Sequence, residues 1–331
     1  MTLRIGILGA AKIAGSFMVG AKASSRVAVV AVASRDRGRG EAFAAAHGVP
    51  RVCTYDELIA DPAIDAIYNP LPNSLHAEWS LAAARAGKHV LCEKPLAASE
   101  AEARAMFAAA DQTGVLLLEA FPYMFQPQTL AIERLIADGA IGEVRTMFAG
   151  FGFPMADGAN IRLDPALGGG ALWDAGCYPV SFVRQVFGAR PVRITATARW
   201  VDPPGAAKPS AKIDQSLAAT LEFPGGGIAQ ISCSFATAVY RRAIIMGSIG
   251  VIDTDYQNHT DRVAAPAFRL KRGTDWLTDY ETIPVPSTNG FLVEIDGFVD
   301  LIEHRADEPA RRAASLDNAW TLAALLDAAR G

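Results

Sequence analysis

The sequence predicts an α/β fold at its start and an α+β fold beyond, and three observations carry this. From Leu3 to Ala120 short β-rich runs alternate with helix-like segments; after about Pro122 one helix gives way to a series of long β-rich runs; and the first strand ends in a glycine-containing turn that opens a helix. Strand and helix in alternation build a mostly parallel, doubly wound sheet covered on both faces, whereas consecutive strands joined by turns build a mostly antiparallel open sheet. At 331 residues the chain has room for two domains, at roughly 100–200 residues each, expected at 1–122 and 123–331.

In the first domain the strand-like runs are Ile5–Leu8, Val27–Ala33, Ala66–Tyr68, His89–Cys92 and Val115–Leu118, separated by helix-like segments at Ile13–Ala23, Glu41–His47, Tyr55–Ala60, Ala77–Ala86 and Ala101–Ala110. Thr54 with Glu57 and Ser99 with Glu102 each have the spacing of a capping box, in which the two side chains satisfy the unpaired amides of a first helical turn. In the second domain a helix at Pro127–Asp138 precedes strands at Val144–Phe153, Val192–Val201, Gln215–Phe223, Ile228–Phe235 and Ala243–Gly247, with Pro224-Gly225-Gly226-Gly227 as a hairpin turn. Phe291 to Ile302 and Leu316 to Ala329 read as amphipathic helices that cover the domains. One face of the antiparallel sheet needs cover by helices or by a second subunit, so a homodimer or homotetramer through that sheet is expected.

Composition narrows the function classes. Half of the residues are hydrophobic, 51 %, but in short runs broken by Gly, Pro or charge, none approaching the ~20 needed to span a bilayer. Met1 to Arg4 leads directly into a strand-like run without the features of a secretion signal, so a soluble cytoplasmic protein is expected. Cys53, Cys92, Cys177 and Cys233 are scattered and lack CxxC spacing, which indicates neither a zinc site nor a disulfide framework. The net charge of −4, with no basic run interleaved with aromatics, speaks against nucleic acid as a partner. Asn258-His259-Thr260 matches the glycosylation pattern, which has no meaning without a secretion signal.

The first turn reads Gly6-Ile7-Leu8-Gly9-Ala10-Ala11-Lys12-Ile13-Ala14, so Ala11 and Ala14 stand where GxGxxG has its second and third glycines. As a motif this is weak, and an ordinary small-residue turn reads the same. Its position is more informative, because a turn between the first strand and first helix presents free amides and a helix dipole to a pyrophosphate. Gly9, Ala10, Ala11, Lys12 and Ile13 are therefore candidate cofactor contacts in a Rossmann domain. An NAD site has Asp or Glu about 20 residues further on, accepting the ribose hydroxyls. Here that position is Ser34, followed by Arg35, Arg37 and Arg39. An acid would repel a 2′-phosphate, whereas a guanidinium makes charge-assisted bonds worth roughly 1.5–3 kcal/mol each. Ser34, Arg35 and Arg39 thus favour NADP, although arginines also suit a solvated helix start.

Two further segments directly follow predicted strands, Asn69-Pro70-Leu71-Pro72-Asn73-Ser74-Leu75-His76 and Glu93-Lys94-Pro95. Ligands of open α/β sheets bind at the carboxyl ends of the strands, which makes Pro70, Leu71, Asn73, Glu93 and Lys94 candidates for the cofactor site. Taken alone, a lysine before a proline is also an ordinary loop residue.

The strand-GAAKIA-helix turn, the strand ending in Ala33-Ser34-Arg35, NPLPNSLH, HVLCEKP and, later, GGGALWDAGCYP together resemble the glucose-fructose oxidoreductase, inositol dehydrogenase and rhizopine-catabolism (Gfo/Idh/MocA) family of dehydrogenases. The resemblance runs from Leu3 to about Gly188. Asn160-Ile161-Arg162-Leu163 followed by Leu167 to Leu172 is most similar to the branch of NADP-dependent D-xylose and trans-dihydrodiol dehydrogenases. It implies an enzyme that exchanges a hydride with a small polyhydroxylated substrate. It makes Lys94 and Tyr178 a proton-transfer pair, with Lys94 lowering the phenol from its usual ~10, and gives Asp174 the sugar hydroxyls. It also gives His76 a supporting role by the cofactor, beside the plainer reading of a satisfied polar residue at a helix start. Where that branch often has basic or His residues, this chain has Phe121-Pro122-Tyr123-Met124-Phe125-Gln126-Pro127, whose aromatics would stack on a ring substrate or belong to the core. A sugar carbonyl reductase, acting on a substrate such as 1,5-anhydrofructose, uses the same residues in reverse. A non-catalytic nucleotide-binding sensor needs no proton-transfer pair, and retention of both Lys94 and Tyr178 argues against it.

Overall fold

The computed structural model describes residues 2–155, 160–203 and 211–331. The chain begins β1 (Leu3–Leu8), α1 (Lys12–Ala23), β2 (Val27–Ala33), α2 (Arg37–His47), β3 (Val52–Cys53), α3 (Tyr55–Ala60), β4 (Ala66–Asn69), α4 (His76–Arg85), β5 (His89–Glu93), α5 (Glu100–Thr113) and β6 (Leu117–Ala120). The strands form one six-stranded parallel sheet in the order β3-β2-β1-β4-β5-β6. That is the doubly wound order, with the reversal of winding between β1 and β4, and a ligand binds outside the strand ends at such a point. The strands are near-continuous apolar runs because both faces are covered: Ile5, Ile7, Val32, Ile67 and Leu91 are all fully buried or nearly so. The Thr54–Glu57 capping box forms as expected. The second one differs, for Ser99 accepts from the Glu102 amide while the Glu102 carboxylate reaches the amide of Ala98.

The second stretch comprises α6 (Pro127–Ala137), β7 (Val144–Gly152), α7 (Cys177–Phe187), β8 (Arg193–Val201), β9 (Ile213–Glu222), β10 (Ile228–Ser234), β11 (Tyr240–Gly247), β12 (Gly250–Thr254), β13 (Ala267–Arg272) and β14 (Glu281–Pro284). Its eight strands order as β14-β13-β12-β11-β7-β10-β9-β8, all neighbours antiparallel except the parallel pair β7 and β10. Pro224–Gly226 joins β9 and β10 as a hairpin. Before α7 the helix is wound as a π turn over Leu172–Gly176, a local widening that in other proteins is frequent at functional sites.

The last elements are α8 (Gly290–His304) and α9 (Glu308–Arg330). Two compact units result: Met1–Phe125 with Thr288–Leu316, and Gln126–Ser287 with Asp317–Gly331. The sequence-based boundary at 122 lies near the first crossing, but a continuous second domain from 123 onward differs from this division. The reason lies in α8: Phe291, Ile295, Phe298 and Val299 are buried in the same core as Phe17 and Met18 of α1. Gly20 permits the approach, since a Cβ there would stand 2.6 Å from the Leu292 amide. Phe17 stacks on Tyr68 at 3.9 Å and meets Phe291 edge-on at 6.1 Å, and each such buried ring contributes on the order of 1.5–3 kcal/mol. Among the described residues no helix is long and apolar enough to cross a membrane.

Candidate functional site

The β1–α1 turn lies at the winding reversal. Gly9 has φ +91°, a backbone that L side chains rarely adopt, and its amide donates to the Ala33 carbonyl at 2.7 Å. A Cβ at Gly9 would also stand 3.0 Å from Leu71, so the turn and the β4–α4 loop pack closely. Ala11 is the N-cap of α1 and offers no side-chain acceptor, which leaves the first amides of a twelve-residue helix open to an anion. Ala14 is fully buried, so a methyl group fits where the motif has its third glycine, whereas Lys12 and Ile13 are exposed at the helix start.

At the end of β2 the exposed Arg35 and Arg39 form no ion pair with a carboxylate among the described residues. Arg37 differs, being paired with Glu41 at 2.8 Å. Asp36 is the N-cap of α2, where its side chain accepts from the Arg39 amide at 2.9 Å. The helix thus starts four residues earlier than the sequence suggested. Ser34 is half-buried, with its amide on the Cys53 carbonyl. Tyr55, which sequence reasoning missed, lies near both arginines: burial raises its pKa while the charges of Arg35 and Arg39 pull it down. Its ring meets Trp79 edge-on at 4.8 Å, and its hydroxyl would lie 3.6 Å from a Cβ on Gly9. Tyr55 thus stands between the Arg35 charge and the glycine turn.

The β4–α4 and β5–α5 loops are tied to one another. Asn69, fully buried, donates to the His76 carbonyl and the Ser80 hydroxyl and accepts from the Leu71 amide. Pro70 and Leu71 are buried, and Asn73 opens a single 3-10 turn before α4. His76 is fully buried, with Nδ1 2.8 Å from the Pro95 carbonyl and Nε2 2.8 Å from the Leu71 carbonyl. Burial pushes its pKa down to about 4, against the pull of the two carbonyls. The neutral ring carries one N–H, which donates to one of these two carbonyls, and His76 lies buried between the two loops, as the plainer reading of a satisfied polar residue expects. Glu93 is likewise buried and accepts from the Tyr68 hydroxyl at 2.6 Å. Lys94 is half-buried directly after β5, and its bond to Pro95 is cis.

In the second unit the π turn and α7 carry Asp174 and Tyr178, four residues apart and so on neighbouring turns of one face. Asp174 pairs with Arg162 Nε at 2.6 Å. Tyr178 is 6 % exposed and its oxygen accepts from Asn258 Nδ2 at 3.0 Å. The Asn258 oxygen accepts from Arg241 at 3.2 Å. The Arg241 guanidinium lies 4.5 Å from the Tyr178 ring centre, 4.4 Å from that of Tyr256 and 5.1 Å from that of Phe151. A cation over three aromatic rings is held by their quadrupoles. Nothing local in the sequence marks Arg241 or Asn258, which only matched a glycosylation pattern; β11 and the β12–β13 segment bring them to the tyrosine. Of the aromatics at 121–125, Phe121 and Tyr123 are buried core and meet edge-on.

Comparison with known proteins follows the same division. A model of the oxidoreductase family with NAD-binding Rossmann fold matches residues 3–121, and one of the GFO/IDH/MocA C-terminal domain matches residues 129–253. The NADP-dependent D-xylose 1-dehydrogenase 2 of Haloferax volcanii is 35 % identical over 99 % of this chain and 97 % of its own length. The trans-1,2-dihydrobenzene-1,2-diol dehydrogenase of Danio rerio is 36 % identical over 76 % of this chain and 74 % of its own. A 3-ketoreductase from Actinomadura kijaniata, solved in complex with NADP and TDP-benzene, is 29 % identical with a TM-score of 0.87, covering 99 % of this chain and 98 % of the other.

Proposed function

The chain belongs to the GFO/IDH/MocA family of oxidoreductases, and from that premise we propose that it is an NADP-dependent dehydrogenase exchanging a hydride with a carbinol of a sugar, polyol or trans-diol. The observation that carries the reading is the setting of Tyr178: a phenol oxygen with an amide donor on it and a guanidinium over its ring. A protein that only binds a nucleotide has no use for such a group. The relatives named for D-xylose and dihydrodiol support the substrate class.

NADP, when bound, supplies the hydride acceptor at C4 of its nicotinamide. The open amides of α1 and the exposed residues Lys12 and Ile13 fit the pyrophosphate end, and Arg35 and Arg39 fit the 2′-phosphate. Asp174, fixed by Arg162, accepts hydrogen bonds from substrate hydroxyls and orients the sugar. As the carbinol C–H bond breaks and its electron pair leaves with the hydride, the hydroxyl proton passes to the Tyr178 oxygen. The Asn258 amide and the Arg241 charge stabilise negative charge on that oxygen before the transfer, and Lys94 adds a further positive charge for the reacting oxygen. In reverse, Tyr178 returns the proton to a carbonyl oxygen.

We also assign the protein to the cytoplasm as a homodimer or homotetramer through its large sheet. The edge strand β8 has no buried residue, and Val192 and Ile228 are 70 % and 42 % exposed. Light scattering tests the assembly; a monomer at micromolar concentration would overturn it. The activity is tested by following nicotinamide absorbance with NADP or NAD and a panel of D-xylose, D-glucose, other aldoses, a trans-dihydrodiol and, in reverse, 1,5-anhydrofructose. NADP-linked turnover on the panel supports the reading; bound NADP without turnover moves it to a sensor.

A further inference from the structure

Asp214 lies on β9, next to the edge of the large sheet, and is only 2 % exposed. A buried carboxylate requires strong partners. Its Oδ2 accepts from the Leu172 amide at 2.6 Å. That amide opens the helix that winds as a π turn over Leu172–Gly176 and continues as α7. No side chain of the helix's own caps the start of the π turn, so the cap comes from a strand forty-two residues further along the chain.

The chain leading into the helix is shaped around that carboxylate. Gly170 has φ +130°, and a Cβ there would stand 2.2 Å from Asp214 Oδ1. The neighbouring amides of Gly169 and Gly170 donate to the carbonyls of Asp164 and Arg162 at 2.9 Å each. A Cβ on Gly169 would meet the Arg162 carbonyl at 2.6 Å. The glycine run therefore joins Asp214 on one side to the Arg162 segment on the other, and Arg162 is the residue that grips Asp174. Beneath the π turn, a Cβ on Gly176 would meet Cys233 Sγ of β10 at 2.9 Å, so the turn rests directly on the sheet. Around Asp214 the charged and titratable neighbours are Arg330 of α9 and Cys233. Burial pushes the carboxyl up to about 7, while the Leu172, Asp214 and Ala171 amides and Arg330 pull it down.

We propose that Asp214 is the positioning residue of the reaction: by capping Leu172 it sets the winding of the π turn and thereby the placement of Asp174 and Tyr178. It touches neither substrate nor cofactor. The proposal rests on the assignment of Asp174 and Tyr178 above. A fixed cap matters because a displacement of about 1 Å at a reacting group costs on the order of 100-fold in rate, and a helix terminus without its cap frays over its first turn.

The test compares Asp214→Asn and Asp214→Ala in the full chain. Asn keeps an acceptor for the Leu172 amide but removes the charge of the carboxylate. For Asn, kcat is expected to fall about tenfold, the equivalent of one charge-assisted bond, with the KM for NADP unchanged; for Ala the fall is larger. Hydrogen exchange of the 170–178 peptide is the readout independent of activity, and in both variants it is expected to quicken while peptides of β1, α1 and α2 stay as in the unsubstituted protein. Unchanged exchange at 170–178 in Asn with kcat also unchanged would overturn the proposal. Quickened exchange with kcat unchanged would overturn it too, because the cap would then be structural only. Should the unsubstituted protein lack activity, quickened exchange at 170–178 would keep the cap while the catalytic assignment of Asp174 and Tyr178 falls, and unchanged exchange would remove both.

Discussion

Replacing Arg35 by Ala separates the two nicotinamide cofactors. Arg35 is exposed, pairs with no carboxylate among the described residues, and lies near Tyr55, whose phenol its charge pulls down. Its loss removes no buried contact, so folding stability is expected to stay within about 0.5 kcal/mol. A guanidinium on the 2′-phosphate of NADP contributes charge-assisted bonds of roughly 1.5–3 kcal/mol each. At about 1.4 kcal/mol per factor of ten, losing one bond lowers kcat/KM for NADP roughly 10- to 150-fold. NAD carries no phosphate at that position and is expected to change little, so the ratio of the two values collapses while kcat at saturation is retained. Steady-state kinetics with both cofactors on one substrate reads this directly, and raised salt should weaken NADP in the unsubstituted protein more than in the variant. Equal losses for NADP and NAD would refute the assignment of Arg35 to the phosphate.

Other outcomes follow from the same geometry. Tyr178→Phe is expected to leave NADP affinity intact and to lower kcat by roughly 10²–10⁴-fold, measured by fluorescence titration of NADPH beside turnover; unchanged kcat would strip the phenol of its role. Asn258→Ala removes the donor on that phenol and should lower kcat about fivefold, the equivalent of one ordinary hydrogen bond. Glu294, fully buried with both carboxylate oxygens lacking a hydrogen-bond partner among the described residues, has its pKa raised first by burial and then by Glu93. A raised folded pKa means that the native state holds the proton more tightly, so this contribution is present below about pH 4.3 and is lost as pH rises above it. Glu294→Gln should therefore gain melting temperature relative to the unsubstituted protein as pH rises from 5 to 8, as thermal denaturation would show; parallel pH curves would contradict it. His76, His89 and His259 act in the opposite sense, each pushed down to about 4 chiefly by burial. Their contribution is complete above about pH 6.5 and is lost as pH falls toward 4, which appears as a falling denaturation midpoint across that window.

The parallel sheet was legible because β1, β2, β4 and β5 are buried on both faces and so are written as unbroken apolar runs. β3 escaped notice, since Val52–Cys53 is too short to carry a period. β12, β13 and β14 were also missed: they mix charge with apolar residues, as in Ala267–Arg272, whose Arg269 reaches Asp253 across the sheet. The β6 boundary shifted because Val115 and Leu116 are buried as the approach to the strand, and burial was what the sequence pattern recorded. The placing of α8 with the first unit depends on Gly20 and Phe291 meeting across most of the chain, a contact without local signature. At the candidate site, Lys94, Asp174 and Tyr178 were recognised through motifs. Tyr55, Arg241, Asn258 and Asp214 act through partners distant in sequence, and only the fold brings them there. The π turn was equally hidden, because its winding depends on a cap supplied from another strand.

The activity expected of the protein is hydride exchange between NADP and a hydroxylated carbon. Its most direct measurement is label transfer: the protein is incubated with NADP and D-xylose deuterated at C1, together with other deuterated aldoses and a ring-deuterated trans-dihydrodiol, and the nicotinamide is followed by NMR. Deuterium is expected at C4 of the nicotinamide from at least one donor, with the transfer slowed in Tyr178→Phe. NADP bound to the protein with no deuterium reaching C4 from any of them would contradict it.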